Sequence, residues 1–225
     1  MRVVIAGGHG KIAMRLAKLL APRGDEAVGL IRNPDHIADL RDASAEPVLA
    51  DLEITPVGDL AEQLSGADAV VFAAGAGPGS GVQRKETVDR AGAALLADAA
   101  EQAGVSRYLL VSSMGQERAD DPEVGEVFAA YLRAKAAAER DVRARKLEWT
   151  ILRPGRLTDE PGTGMVHLAE EVPYGEVTRD DVAAVLLGLL DDSTAADDVV
   201  TPSGVGLTLE LTGGNTTIEE AISRL

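Results

Sequence analysis

The stretch Arg2-Val3-Val4-Ile5-Ala6-Gly7-Gly8-His9-Gly10-Lys11-Ile12-Ala13, continued by Met14-Arg15-Leu16-Ala17-Lys18-Leu19-Leu20, decides how the rest of the chain is read. Val3, Val4 and Ile5 form a short apolar run of the kind found in a buried strand. Three glycines break the run, and Leu16, Leu19 and Leu20 then recur at helical spacing. The order is strand, glycine turn, helix. Gly8-x-Gly10-x-x-Ala13 fits the dinucleotide fingerprint, which accepts Gly or Ala at its third position. One glycine allows a tight turn and another lets backbone N–H groups approach a pyrophosphate. Ala13 lets helix and strand pack closely, and the helix N-terminus favours negative charge. Many strand-to-helix turns use glycine for its positive φ alone, so the weight rests on this placement between a buried strand and a helix.

Working outward, Pro22-Arg23-Gly24-Asp25 is a turn and Ala27–Ile31 reads as the second strand. The residue ending that strand faces the adenosine ribose. An acid there selects NAD, whereas arginine accommodates the 2′-phosphate of NADP. The position holds Arg32 with no acid beside it in the sequence, which predicts NADP(H) in preference to NAD(H). Val48-Leu49-Ala50 reads as a third strand leading to Asp51 and Leu52, a loop under the adenine ring. Val57, Leu60 and Leu64 mark a helix, and Ala69–Phe72 the fourth strand. Ala73, Ala74 and Gly75 follow it, opening a glycine-rich loop to Gly81. That loop either lets a nucleotide lie against backbone or is a flexible surface segment.

Val88, Leu95, Leu96 and Ala99 belong to a long helix ending at Gly104. The fifth strand, Tyr108–Val111, runs into Ser112-Ser113-Met114-Gly115. Residues 116–125 read as a polar loop, and a helix runs from Phe128 through Arg140. The sixth strand, Trp149–Leu152, leads to Arg153-Pro154-Gly155. The last third is less regular: short extended pieces at Met165–Leu168 and Tyr174–Val177, an apolar helix from Asp181 to Leu190 behind Thr178 as N-cap, a strand at Leu207–Leu211 and a helix from Thr217 to Leu225. Strands alternating with helices argue for an α/β domain with a doubly wound, mainly parallel sheet. No repeat or linker divides residues 1–225; the nucleotide-binding core covers about 1–155 and a small C-terminal, substrate-side elaboration about 156–225.

Chemistry is sought on the helix after the fifth strand. Tyr131 and Lys135 stand four apart and share a helix face. A tyrosine serves as a general acid when a nearby ammonium favours its phenolate. Lys135 can also hydrogen-bond a cofactor ribose. Ser113, at the strand end, is placed to hold a substrate oxygen for the same proton transfer. Taken separately, the tyrosine reads as an amphipathic packing residue and the lysine as a solvated charge.

The chain carries a net charge of −15 and no cysteine, and its three histidines are far apart. Disulfides and thiolate chemistry are excluded, and a reducing, cytoplasmic compartment is expected. The acidic surface repels phosphate backbones, so nucleic acid is an unexpected partner. No metal-ligand spacing occurs, so no metal is expected. The chain enters a core strand without a leader or a long apolar segment, so no membrane partner is expected. A monomer or weak homodimer acting on a small-molecule substrate is the expectation.

These residues resemble the short-chain dehydrogenase/reductase superfamily, and most closely its atypical single-domain members related to flavin/biliverdin reductase B, with kinship to the NAD-dependent epimerase/dehydratase-like proteins. Ala6-Gly7-Gly8-His9-Gly10-Lys11-Ile12-Ala13 looks like the family's glycine turn. Arg32 matches its NADP-selecting arginine and Asp51 its adenine-loop acid. Val111-Ser112-Ser113 matches the strand carrying the active-site serine, Tyr131 and Lys135 the catalytic pair. Leu152-Arg153-Pro154-Gly155 looks like the loop that passes the nicotinamide, and Thr178–Ala183 like a late segment common in these proteins. The resemblance implies a Rossmann-type fold. It also implies that Gly7, Gly8, His9, Gly10, Lys11, Ile12, Arg32, Asp51, Leu52, Ala73, Ala74, Gly75, Lys135, Pro154 and Gly155 hold NADP(H), with Ser113, Tyr131 and Lys135 catalytic. The implied activity is hydride transfer to a small carbonyl, flavin or quinone-like molecule. Two alternatives are a non-catalytic redox-sensing module and a sugar-nucleotide epimerase or dehydratase. The loop between Ser113 and Tyr131 is short against the family pattern.

Overall fold

The computed structural model describes residues 1–77, 79–194 and 200–225. The first half alternates strands and helices as expected: β1 (Arg2–Ala6), α1 (Lys11–Leu20), β2 (Glu26–Ile31), α2 (Ile37–Asp42), β3 (Ala45–Leu49), α3 (Val57–Leu64) and β4 (Ala69–Phe72). There follow α4 (Val82–Arg84), a π-helical turn (Lys85–Ala91), α5 (Gly92–Ala103), β5 (Arg107–Val111), α6 (Glu126–Arg143) and β6 (Glu148–Pro154). The remainder supplies β7 (Arg156–Thr158), β8 (Met165–Ala169), β9 (Glu176–Thr178), α7 (Arg179–Leu190), β10 (Asp192–Thr194), β11 (Val200–Pro202), β12 (Thr208–Gly213), β13 (Thr216–Thr217) and α8 (Ile218–Ser223).

The main sheet runs β13-β8-β12-β6-β5-β4-β1-β2-β3. Its strands β3-β2-β1-β4-β5-β6 are parallel throughout, and β12 extends them in parallel beside β6. At that edge β8 runs antiparallel to β12, and β13, antiparallel to β8, returns to the direction of the other strands. Side chains alternate across the strands. Val3 and Ile5 therefore join a core with Leu16 and Leu20 of α1 and Leu186 of α7. Val4 and Ala6 face the opposite core, with Leu60 of α3, Leu96 of α5 and Val142 of α6. Both faces are covered, which explains why the strands read as continuous apolar runs.

Several boundaries differ from the sequence reading. β3 starts at Ala45 rather than Val48 and contains Pro47; an edge strand tolerates the missing N–H, and β3 pairs with β2 alone. The expected long helix before Gly104 is divided by the π-helical turn. Residues 116–125, read as loop, hold a 3-10 turn at Gln116–Asp120. No helix among the described residues is long and apolar enough to cross a membrane.

Candidate active site

In the order 3-2-1-4-5-6 the winding reverses at β1, and a crevice opens there beyond the carboxyl ends of the strands. The glycine turn fills its floor. Gly7 adopts φ +79°, and a Cβ there would lie 2.6 Å from Ala74 Cα. A Cβ on Gly8 would lie 2.5 Å from Gly29 Cα. The loops after β1 and β4 and the middle of β2 thus approach backbone to backbone, which only glycine permits. Gly29 had no signal in the sequence beyond being a glycine inside a strand. Gly10 starts α1 with no side-chain cap, so the first-turn N–H groups are left for a ligand.

One cleft joins Gly7, His9, Gly10, Arg32, Asp51, Leu52, Ala73, Ala74 and Gly75. The other expected nucleotide residues stand behind it or aside. Gly8 packs on β2, and its N–H donates to Leu30 O at 3.0 Å. The Lys11 ammonium reaches Asp159 on the surface, and Ile12 packs against the core. Pro154, expected in a loop, ends β6 and accepts from Met114 N–H at 3.1 Å. Gly155 is pressed on Gly175, whose carbonyl oxygen would stand 2.2 Å from an added Cβ. Pro154 thus supports the turn that carries Ser112 and Ser113, whereas Gly155 packs toward β12, its N–H donating to Leu211 O at 2.9 Å.

The cleft wall adds groups the sequence reading missed. The His9 ring stacks on His36 at 3.6 Å between centroids, and His9 Nε2 lies 2.8 Å from Asp39 Oδ2. Arg32, read as having no acid beside it, has one: Glu53 Oε2 lies 3.6 Å from its guanidinium. The acid comes from the loop after β3, so local sequence gave no warning. Glu53 also accepts from Thr87 Oγ1 at 2.6 Å and from Arg84 at 2.8 Å. The Thr87 hydrogen bond and the Arg84 charge hold its carboxyl below the usual carboxylate value.

Ser113, Tyr131 and Lys135 do not line this cleft; they lie past its Gly75–Ala76 edge, to which Lys135 is tied through Asp89. The fold brings Tyr131 and Lys135 together: the Lys135 ammonium lies 5.7 Å from the half-buried Tyr131 ring centroid. Lys135 is itself buried, donates to Val111 O at 3.1 Å and pairs with Asp89 at 3.4 Å. Asp89 Oδ2 accepts from Ala76 N–H at 3.1 Å. Ser113 Oγ donates to Met114 O at 3.0 Å, so its hydroxyl faces its own turn. Its neighbour Ser112 donates to Glu139 at 2.6 Å. Glu139, which also accepts from Gln116, Arg143 and Arg153, is fully buried. Burial alone would raise its pKa, but the hydrogen bonds from Arg153 and Ser112 prevail and lower it. Tyr131, Lys135 and Glu139 follow one helix face at successive steps of four, a signal the sequence carried in plain view.

Fold and cleft together define a protein of the dinucleotide-binding Rossmann type. A model of the NAD(P)H-binding family matches residues 7–193. The uncharacterised sugar epimerase YhfK of Bacillus subtilis is 34% identical over 226 residues, taking in the whole of both chains. Among solved structures, a candidate NAD-dependent epimerase/dehydratase from Bacillus halodurans has a TM-score of 0.88 at 33% identity, over the full length of both chains. The oxidoreductase ylbE from Lactococcus lactis has a TM-score of 0.80 at 28% identity, covering all of this chain and 96% of that one. The chain belongs to the NAD(P)H-binding family.

Proposed function

We propose that the protein is an NADP(H)-dependent cytoplasmic oxidoreductase acting on a small carbonyl, flavin or quinone-like substrate. The observation that carries this reading is the half-buried Tyr131 phenol set against the Lys135 ammonium, at the carboxyl end of the sheet whose glycine turn floors the cleft. The residues present suit a dinucleotide: an uncapped helix start, two glycines where no Cβ fits, and Arg32 at the end of β2. NADP(H) supplies the hydride when bound. Tyr131 supplies or takes the proton on the substrate oxygen, and Ser113 steadies that oxygen once its hydroxyl leaves the Met114 carbonyl. Lys135, fixed by Val111 O and Asp89, holds the cofactor ribose and the positive charge beside the phenol. Arg32 and the neighbouring Arg84 receive the 2′-phosphate that distinguishes NADP from NAD.

The names of the Bacillus relatives favour a second reading, epimerisation, in which the nicotinamide is returned unchanged after each turnover. The experiment is to follow NADPH absorbance against carbonyl, flavin and quinone panels with wild type and Tyr131→Phe. Net oxidation that falls by about 100-fold in the variant is expected. Nucleotide binding without oxidation of NADPH by any member would overturn the reductase reading; conversion of a sugar nucleotide without net oxidation would favour epimerisation.

A further inference from the structure

We propose that Lys85 forms a subsite for a carboxylate on the substrate held beside Tyr131. The proposal rests on the reductase reading and goes further, in assigning the substrate an anionic group. Lys85 lies on the π-helical turn and is 8% exposed. Lysine is rarely buried without a charged partner, because an uncompensated ammonium loses its hydration. Among the described residues its one hydrogen-bond acceptor is a neutral group, Gly77 O at 3.0 Å, and no carboxylate lies within ion-pair reach. An ammonium has three donors.

The contrast with Lys135 is direct. That ammonium is neutralised by Asp89 at 3.4 Å, whereas Lys85 leaves one positive charge in excess around the same ring. Its Nζ stands 5.6 Å from the Tyr131 ring centroid, against 5.7 Å for Lys135. A chain with a net charge of −15 does not lack acids to pair with a structural lysine, yet among the described residues none forms an ion pair with Lys85, and Asp89 on the same turn pairs with Lys135 instead. An anion on Lys85 would therefore be held beside the Tyr131 ring. Phe128, 49% exposed and stacked on Tyr131 at 5.7 Å, offers an apolar surface for the body of such a molecule. A compact aromatic or apolar carbonyl compound bearing a carboxylate matches both features.

The test uses benzoate and its neutral analogue benzamide as unreactive probes. Their binding to wild-type protein saturated with NADP⁺ is measured by calorimetry, alongside Lys85→Met and Lys85→Arg, each first checked by thermal melt and by NADPH affinity. Benzoate is expected to bind about tenfold or more tightly than benzamide, a preference lost in Lys85→Met and largely kept in Lys85→Arg. NADPH affinity should stay within about twofold of wild type in both variants. Equal binding of benzoate and benzamide to wild type, or a benzoate preference surviving in Lys85→Met, would overturn the subsite with the nucleotide site intact. Failure of wild type to bind NADPH would instead overturn the reading beneath it. The variant Lys85→Met keeps the apolar stem, so a folded protein is expected; should it not fold, the wild-type contrast between the two probes decides alone.

Discussion

The Lys135 ammonium stands 3.4 Å from the Asp89 carboxylate, and these side chains are only 4% and 0% exposed. Lys135 also binds the last carbonyl of β5, and Asp89 binds the Ala76 N–H. A single buried pair therefore ties α6, β5, the π-helical turn and the loop after β4 into one frame around the crevice. Removing one partner strands the other without water.

Asp89→Ala is accordingly expected to cost about 3–5 kcal/mol, or roughly 10 °C in melting temperature for a chain of this size. Asp89→Asn with Lys135→Met, which removes both charges, should recover most of the loss. Thermal unfolding followed by circular dichroism checks both. A single variant that melts with the wild type would show that the pair does not hold the frame.

Glu139 makes stability depend on pH in acid. Its pKa is lower in the folded protein than in the unfolded chain, so the folded state binds fewer protons and is favoured by deprotonation. The contribution is complete above the ordinary carboxylate pKa of about 4.3 and drains away as pH falls through the lower folded value. Glu139→Gln should destabilise by about 3 kcal/mol at neutral pH, and the gap from wild type should narrow near pH 3. Denaturant unfolding at both pH values measures it; a gap that widened in acid would reverse the assignment.

The glycine floor gives a steric prediction. A Cβ on Gly8 meets Gly29 backbone at 2.5 Å, while one on Gly58, in α3, meets only the Gln102 side chain at 3.8 Å. Gly8→Ala should weaken NADPH binding about tenfold or more, because β2 and the turn must part. Gly58→Ala should leave binding alone and stabilise by about 0.5–1 kcal/mol. Equal affinities in the two variants would remove the turn from the site.

Glu53 competes with any anion for Arg32 and Arg84. Glu53→Gln frees both guanidiniums, and the ratio of NADPH to NADH affinity should rise about two- to fivefold, the scale of an exposed ion pair. An unchanged ratio, titrated by calorimetry, would place the ribose end elsewhere.

The sheet was legible because its strands are short, apolar and bounded by glycine or proline, and because Val3–Ala6 face two cores at once. The glycine turn and the Tyr131/Lys135 face were legible because both depend on spacing along one element. The partners of those residues were not. Glu53 reaches Arg32, and Asp89 reaches Lys135, only after crossovers bring distant loops together. Lys85 carried no signal in the sequence; its burial beside Tyr131 is a property of the packed structure. The π-helical turn that faces Lys85 and Asp89 toward α6 left no pattern, since its residues also suit an α-helix. Glu139 stands at the next four-residue step of that face, but its burial depends on Arg153 from the next strand and could not be read from the helix alone.

The central claim is that the cleft holds NADP(H) and that Arg32 reads its 2′-phosphate. The direct measurement is calorimetric titration of NADPH and NADH into wild type and Arg32→Ala. Tighter binding of NADPH by about tenfold, collapsing to near equality in the variant, is the expected result. No binding of either nucleotide to the folded wild type would contradict the account, and equal binding of both would leave the glycine turn in place but remove Arg32 as the selector.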